Sequence, residues 1–179
     1  MNRIVTRLLP AFFTGVMLFS GYAQAMGGGG SNNEPTPPTC PKGQIYDQKT
    51  KTCMVDKGGM IDDKSRTEYA YALAKAGRYQ EALDMLNTLK DPNTAEALNY
   101  RGYATRKLGR TDEGIGYYLK SVALDPHYPK VREYLGEAYM VKNRPDLARE
   151  QLAVIKTLCG TSCEEYRDLS AAIEGHPES

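Results

Sequence analysis

Small residues recur along this chain at a fixed spacing, and that spacing constrains the fold more than any other feature. Each occurs in a stretch whose apolar residues follow helical spacing. Where two helices cross closely, a large side chain would hold their axes apart, so the pattern predicts stacked units of two helices each. Two series step by 32 and then by 34 residues: Ala70, Gly102 and Gly136, and then Ala82, Gly114 and Ala148.

The same spacing predicts seven helices. The helices of each pair are joined at a residue suited to a tight turn, namely Gly77, Gly109 or Asn143. Ser162 and Glu165 form a capping-box pattern, which predicts the start of the last helix. The predicted helices cover residues 63–76, 79–90, 94–108, 111–124, 129–142, 145–158 and 163–174.

These units resemble the tetratricopeptide repeat (TPR) family, whose helix–turn–helix repeats of about 34 residues stack into a superhelix. The family's small residues fall on the two series given above. Its aromatic and proline positions fall on Tyr79, Tyr118, Pro92 and Pro126, whereas the other equivalent positions hold Thr111, Pro145, Leu86, Leu152 and Gly160. The resemblance covers about residues 63–160. It implies an all-α, TPR-like superhelix of three repeats at about 63–94, 95–128 and 129–160, within residues 61–160. A small disulfide loop is expected to precede this superhelix, on the separate evidence of the cysteines.

A capping helix at residues 161–175 is expected, because a stack of repeats leaves an apolar face open at its end. Tyr166, Leu169 and Ile173 fall on one stripe of the last predicted helix. Cys159 and Cys163 flank its start, and we interpret them as a disulfide that fixes the cap. A redox site is the alternative, although the spacing is not that of thioredoxin-like motifs.

The four cysteines fall into two local pairs, Cys40 with Cys53 and Cys159 with Cys163. Four cysteines allow three pairings, and the sequence leaves the choice open. An oxidising compartment favours the local disulfides. A zinc site would need all four thiolates to converge, with no histidine close in sequence.

Residues 40–58 are expected to form a small disulfide-closed loop, with a strand beginning near Ile45, that is separable from the repeats. The segment CPKGQIYDQKTKTC resembles part of the chitin-binding peritrophin module in its Cys-Pro-x-Gly start and its cysteine spacing. The Trp that follows in that family is absent, and Tyr46 is the only aromatic residue of the segment. This resemblance implies an alternative function, cell-wall glycan binding through the N-terminal loop.

Residues 1–25 have the pattern of a secretory signal peptide: a positive start, an apolar run interrupted by Pro10 and Gly15, and the small-residue sequence AQA. A retained membrane anchor is the alternative, but the run is shorter than the ~20 residues that span a bilayer. We therefore expect a bacterial protein that is periplasmic or secreted, with no integral membrane segment after cleavage. Residues 26–39, rich in Gly and then in Pro, are expected to be a flexible linker.

Composition and motifs argue against several functions. Without residues 1–25, Lys and Arg fall from 23 to 21 (Arg3 and Arg7 are lost) against 22 acids, a net charge of −1. Nucleic-acid binders use a clear positive excess, so a nucleic-acid partner is not expected. His127 and His176 have no nucleophile at a recognisable spacing, and no phosphate-binding loop or dinucleotide fingerprint occurs. The sequence therefore predicts no enzyme activity, catalytic residue, metal site or cofactor.

The TPR resemblance implies that the first helix of each pair lines a concave groove that binds a peptide of a protein partner. We therefore expect a non-enzymatic scaffold or adaptor module of the cell envelope, whose partner the sequence does not identify. Tyr and Arg, which are common at binding hot spots, occur on this face. Packing of Tyr71 and Tyr103 across the seam between helices is the alternative role. The expected groove residues are Thr67, Tyr71, Lys75, Asn99, Tyr103, Arg106, Lys107, Lys130, Glu133, Glu137 and Met140.

Overall fold

A β-hairpin precedes seven helices in the part of the chain that the structure describes. The structure is a computed structural model and describes residues 38–41, 43–47, 50–55 and 61–175. The signal-peptide pattern, the linker up to residue 37 and His176 lie outside these residues. The elements are β1 (Ile45–Asp47), β2 (Thr52–Met54), α1 (Asp63–Lys75), α2 (Tyr79–Leu86), α3 (Ala95–Lys107), α4 (Thr111–Leu124), α5 (Pro129–Val141), α6 (Pro145–Cys159) and α7 (Glu164–Ile173).

The helices agree with the predicted ones to within one residue at each end, except that α2 ends four residues early. Asn87 caps α2, and the Thr88 hydroxyl then donates to the Met85 carbonyl at 2.7 Å. The Arg66 guanidinium donates to the same hydroxyl at 2.8 Å. This turn brings Leu89 into the core, where its exposure is 8%. The tertiary contacts of the segment thus override its helical spacing.

The predicted turns between paired helices are confirmed. Gly77, Gly109 and Asn143 have φ angles of 76°, 85° and 55°, in the left-handed region that ends helices. An arginine follows each of them and caps the second helix of the pair. The three arginines pair with acids in the first turn of that helix: Arg78 with Glu81 at 2.6 Å, Arg110 with Glu113 at 3.1 Å and Arg144 with Asp146 at 3.1 Å.

The small residues lie where helices cross, as their spacing predicts. A Cβ atom added to Gly102 would lie 2.6 Å from the Tyr118 ring, and one added to Gly114 would lie 2.9 Å from the Gly102 carbonyl oxygen. At Gly136 the added atom would lie 2.5 Å from Leu169 of α7. The glycines of α3 and α4 therefore permit close packing within the second pair, and Gly136 permits it between the third pair and the capping helix.

Helix α7 packs on α5 and α6 and closes the C-terminal end of the stack. Leu169 has no exposed surface, while Tyr166 and Ile173 are half-buried. The Cys159–Cys163 disulfide is confirmed, with Cα atoms 5.9 Å apart. The predicted Ser162–Glu165 capping box is wrong, because the helix begins one residue later and Cys163 occupies the N-cap without a side-chain hydrogen bond.

The N-terminal hairpin closes the other end of the stack. Strand β1 pairs with β2 in antiparallel register, Ile45 opposite Met54, and the Cys40–Cys53 disulfide is confirmed, with Cα atoms 5.6 Å apart. Cys40 and Ile45 are only 1% and 5% exposed and belong to the core that α1 and α2 form. The expectation that this loop is separable from the repeats is therefore wrong. The first repeat also has an open apolar face, and Ile45 covers it.

A hydrogen bond fixes the hairpin to α1 and offers a test of this contact. The Cys40 backbone N–H donates to the Tyr69 hydroxyl at 2.8 Å in the core. Tyr69→Phe is expected to lower the free energy of unfolding by about 1–3 kcal/mol, because it leaves a buried donor without an acceptor. Chemical denaturation measures this change.

Tyr117→Phe serves as the matched control, since in the described part of the chain the Tyr117 hydroxyl makes an exposed contact of 3.5 Å with Glu113. Its effect is expected to stay within about 0.5 kcal/mol. Equal effects of the two substitutions would show that the hairpin is not held on the stack in solution.

Candidate partner-binding surface

The first helices of the three pairs form a row that curves toward one side. The Tyr71 hydroxyl of α1 and the Tyr134 hydroxyl of α5 are 3.2 Å apart, although α3 lies between the two helices in the row. These side chains can meet only if the row bends toward the face that carries them. We call this surface of α1, α3 and α5, with Tyr71, Tyr103 and Tyr134 at its centre, the inner face.

Tyrosine rings fill the middle of the inner face. Tyr103 packs against Tyr134 with ring centroids 4.9 Å apart, and both rings are buried, with exposures of 5% and 1%. Tyr71 stacks on Tyr100 at 4.4 Å with an angle of 17° between the rings, and this pair is only half-buried. Tyr71 and Tyr100 are therefore the aromatic side chains that the inner face offers to another molecule.

A buried ion pair lies beside these rings. The Arg106 guanidinium contacts the Glu137 carboxylate at 2.5 Å, and the two side chains are 8% and 12% exposed. Arg106 Nε also donates to the Tyr118 hydroxyl at 3.3 Å. The charge of Arg106 is thus neutralised inside the molecule, and its guanidinium joins α3 to α4 and α5.

A second ionic cluster joins α5 to the capping helix. Lys130 Nζ lies 3.1 Å from Glu133, 3.2 Å from Glu164 and 3.8 Å from Glu165. Glu133 has no exposed surface, and neither of its carboxylate oxygens makes an aligned hydrogen bond within the described residues. Burial raises the pKa of Glu133 well above its ordinary value; Lys130 opposes this effect and Glu137 adds to it. Lys130 is therefore engaged by acids of the cluster and offers little positive charge to a partner.

The structure places the predicted groove residues at three depths. Buried members are Thr67, Asn99, Tyr103, Arg106 and Glu133. Half-buried members are Tyr71, Lys130, Glu137 and Met140. Only Lys75 and Lys107 are exposed.

These depths bear on the role of each residue. Tyr71 and Tyr103 pack across the seam between helices, as the alternative interpretation of these tyrosines has it. Partner binding by any member of the set stays a prediction. Tyr100 and Tyr134 were not among the predicted residues. Tyr100 lies four residues after Glu96 on the same helix, and its hydroxyl reaches that carboxylate at 3.4 Å.

Two lysines at the ends of α1 and α3 keep their charge at the surface of the inner face. Lys75 is in the last turn of α1, and Lys107 is in the last turn of α3. Lys107 Nζ lies 5.4 Å from the centroid of the Tyr103 ring. No carboxylate pairs with either lysine within the described residues. Together with Tyr71 and Tyr100 they form a polar and aromatic edge of the inner face.

A cleft of about 340 Å³ lies between the hairpin, α1 and α2. Its lining bears on the alternative function, glycan binding through the N-terminal loop. Ile45, Tyr69, Leu73 and Met85 supply its apolar lining. Tyr46, the aromatic residue of the disulfide loop, is half-buried against the core. The loop therefore does not present it as the exposed aromatic platform that a glycan site would use.

The remaining candidate residues within the described chain are His127 and the four cysteines. His127 is exposed in the loop before α5, where its backbone N–H donates to Asp125 at 2.9 Å. All four cysteines are in disulfides, so their thiolates are not available to a metal. None of the helices in the described part of the chain has the length and apolar character needed to cross a membrane.

Comparison with known proteins relates the fold to secretion chaperones. No protein-family model and no curated protein matches the chain. A structure of SycD, a type III secretion translocator chaperone of Yersinia enterocolitica (alternative dimer), matches with a TM-score of 0.53 and 18% identity over 63% of this chain and 86% of SycD. SycD in complex with a peptide of the translocator YopD matches with a TM-score of 0.52 and 18% identity over 63% of this chain and 87% of SycD. At this identity the similarity establishes the fold: an all-α, TPR-like stack of three helix pairs with a capping helix.

Proposed function

We propose that this chain is a non-enzymatic interaction module that binds a peptide segment of a protein partner on its inner face. The observation that carries the proposal is the half-buried Tyr71–Tyr100 stack, with rings 4.4 Å apart, on the two helices whose last turns carry the exposed Lys75 and Lys107. Tyrosine supplies a large contact area and loses little side-chain freedom on binding. Such an edge suits an extended or helical peptide that lies across α1 and α3.

The charge of this edge favours an acidic segment. Lys75 and Lys107 lie on the same edge without a carboxylate partner in the described chain, whereas Arg106 and Lys130 are already paired. Exposed positive charges attract an acidic peptide over several ångströms, and added salt screens the attraction. Affinity is therefore expected to fall as ionic strength rises.

The SycD comparison supports peptide binding as the activity of this fold. The matched SycD structure holds a peptide of the translocator YopD. At 18% identity the comparison supports a peptide as the kind of partner, and it does not identify the protein that supplies this peptide.

A location in the bacterial cell envelope, periplasmic or secreted, is part of the proposal. The signal-peptide pattern of residues 1–25 and the two disulfides support it, because disulfides persist in oxidising compartments. A scaffold or adaptor role there agrees with a surface that holds tyrosines and lysines.

Site-specific photocrosslinking tests the proposal in living cells. A photoreactive residue at Lys75 or Lys107 is expected to capture one protein, and a peptide of that protein is then titrated against the full chain by calorimetry. Lys75→Glu combined with Lys107→Glu is expected to weaken this peptide about tenfold or more, because two attractive contacts become repulsive.

Arg149→Glu combined with Lys156→Glu is the matched control. Both residues are exposed on α6, away from the inner face, and the charge change is the same. Tyr103 and Arg106 are unsuitable for this test, because both are buried and their replacement would alter the fold. Equal affinities of the two double variants would move the binding site away from the inner face.

A further inference from the structure

A polar cleft lined by the second helices of the first two pairs contains the guanidinium of Arg101, which pairs with no carboxylate of the described residues. The cleft has a volume of about 480 Å³ and lies between α2, α3 and α4. We call it the outer cleft. The residues that matter for its chemistry are Leu83, Asn87, Arg101, Leu108, Arg110 and Tyr117.

Arg101 is held in the outer cleft by neutral groups. Its Nη1 donates to the Asn87 side-chain carbonyl at 2.7 Å. Its guanidinium carbon lies 5.8 Å from the centroid of the Tyr117 ring. Within the described residues it makes no ion pair with a carboxylate. A guanidinium has five N–H donors, so most of its donors stay available to an anion.

The acid that lines the outer cleft is already engaged. Glu113 pairs with Arg110 at 3.1 Å, and the Tyr117 hydroxyl lies 3.5 Å from its other oxygen. Lys120 adds a further positive charge, with Nζ 5.7 Å from the centroid of the Tyr117 ring. The two arginines on α3 thus differ: Arg106 is buried with Glu137, whereas Arg101 keeps its charge toward the cleft.

The surroundings of Arg101 favour a peptide carboxylate. Leu108 is 40% exposed and Leu83 is 6% exposed, and both line the cleft together with the Tyr117 ring. A bound group that places one negative charge on Arg101 can therefore lay a neighbouring apolar side chain on Leu108. Guanidinium and carboxylate match in geometry, since two parallel N–H donors meet two oxygens.

We propose that the outer cleft binds an acidic peptide segment of a protein partner, with a Glu or Asp carboxylate on Arg101 and the adjacent apolar side chain on Leu108 and Tyr117. This site is separate from the inner face, so the two surfaces can engage different segments. The proposal does not depend on the function assigned to the inner face.

Chemical-shift titration of the full chain tests this site with two matched probes. The first probe is N-acetyl-Glu-Leu-amide, and the second is N-acetyl-Gln-Leu-amide, which has the same shape without the charge. The Glu probe is expected to shift the amide signals of Asn87, Arg101, Leu108 and Tyr117 and to bind about tenfold more tightly than the Gln probe. Added salt is expected to reduce this preference.

Substitutions then test whether Arg101 is the positive charge that recognises the Glu probe. Arg101→Gln is expected to remove the preference for the Glu probe, while Arg149→Gln, an equal change on exposed α6, is expected to keep it. Equal binding of the two probes to the unchanged protein, or shifts centred on Lys75 and Lys107, would overturn the proposal without any variant. Lys75→Glu/Lys107→Glu is expected to weaken binding of the peptide recovered by crosslinking. The same variant is expected to keep the outer-cleft shifts that the Glu probe causes, because the two surfaces act independently.

Discussion

Removal of residues 159–179 is expected to leave a chain that aggregates or melts far below the melting temperature of the intact protein. The deletion takes away α7 and the disulfide that leads into it. It exposes the apolar side of α5 and α6, against which Leu169 is buried without exposed surface. It also leaves Lys130 without Glu164 and Glu165.

The size of the effect follows from the buried surface. A Leu-sized side chain that is fully buried contributes about 1.5–3 kcal/mol. Leu169 with the half-buried Tyr166 and Ile173 therefore contributes an amount comparable to the lower end of the ~5–15 kcal/mol that stabilises a whole domain. Thermal unfolding and light scattering of the truncated chain measure the two expected consequences, early melting and association.

A single substitution isolates the packing of the cap. Leu169→Ala is expected to lower the free energy of unfolding by about 2–5 kcal/mol, since the cavity against Gly136 cannot close fully. Leu124→Ala is the control, because Leu124 is 57% exposed at the end of α4 and the expected change is within about 0.5 kcal/mol. A truncated chain that stays soluble and as stable as the intact protein would contradict the capping role.

The helices and the cap could be predicted from the sequence because their signals are local. The small residues at Gly102, Gly114 and Gly136 mark helix crossings, and the turns at Gly77 and Gly109 need a left-handed residue. Gly102, Gly114 and the turns act within one repeat, and Gly136 acts between the third pair and the cap that follows it, so a spacing of 32 to 34 residues is enough to reveal them. The end of α2 was misplaced because Arg66, which is distant in sequence, binds Thr88 just after it.

The attachment of the hairpin could not be predicted in this way. Cys40 and Tyr69 are 29 residues apart, and their hydrogen bond follows no periodic pattern. A short polar loop closed by a disulfide gives no sequence signal of packing on the repeats, so it was predicted to be separable from them. Ile45 can be expected to be buried only when one considers that the first repeat leaves an apolar face open at its end.

The depth of the residues on the inner face could not be predicted from the sequence either. Helical spacing assigned the predicted groove residues to one face of each first helix, but it did not show how deeply these residues lie. The contact between Tyr71 and Tyr134 joins residues 63 positions apart and draws α1 toward α5. Contacts between helices bury three residues that spacing treats as surface residues: Tyr103 packs on Tyr134, Arg106 pairs with Glu137, and Glu133 lies beside Lys130. Of the predicted groove residues, Lys75 and Lys107 alone are exposed.

Arg106→Met is expected to lower the free energy of unfolding by about 3–5 kcal/mol, the loss typical of breaking a buried ion pair. The Glu137 carboxylate, in a side chain that is 12% exposed, loses its guanidinium, and the buried Tyr118 hydroxyl loses its donor. The methionine keeps the apolar stem of the side chain, so the change reports mainly on charge and hydrogen bonding. Urea unfolding of the single variants and of the double variant gives the coupling energy of the pair.

The double variant and an exposed pair complete the experiment. Arg106→Met with Glu137→Leu is expected to recover most of the lost stability, because no unpaired charge is left in the interior. Arg144 and Asp146 form the control pair, with side chains 54% and 62% exposed, and Arg144→Met is expected to cost less than about 1 kcal/mol. If Arg106→Met costs no more than Arg144→Met, water reaches the Arg106–Glu137 pair in solution. The inner face would then be more open than its tyrosine contacts imply, and Arg106 would return to the set of residues that can meet an acidic peptide.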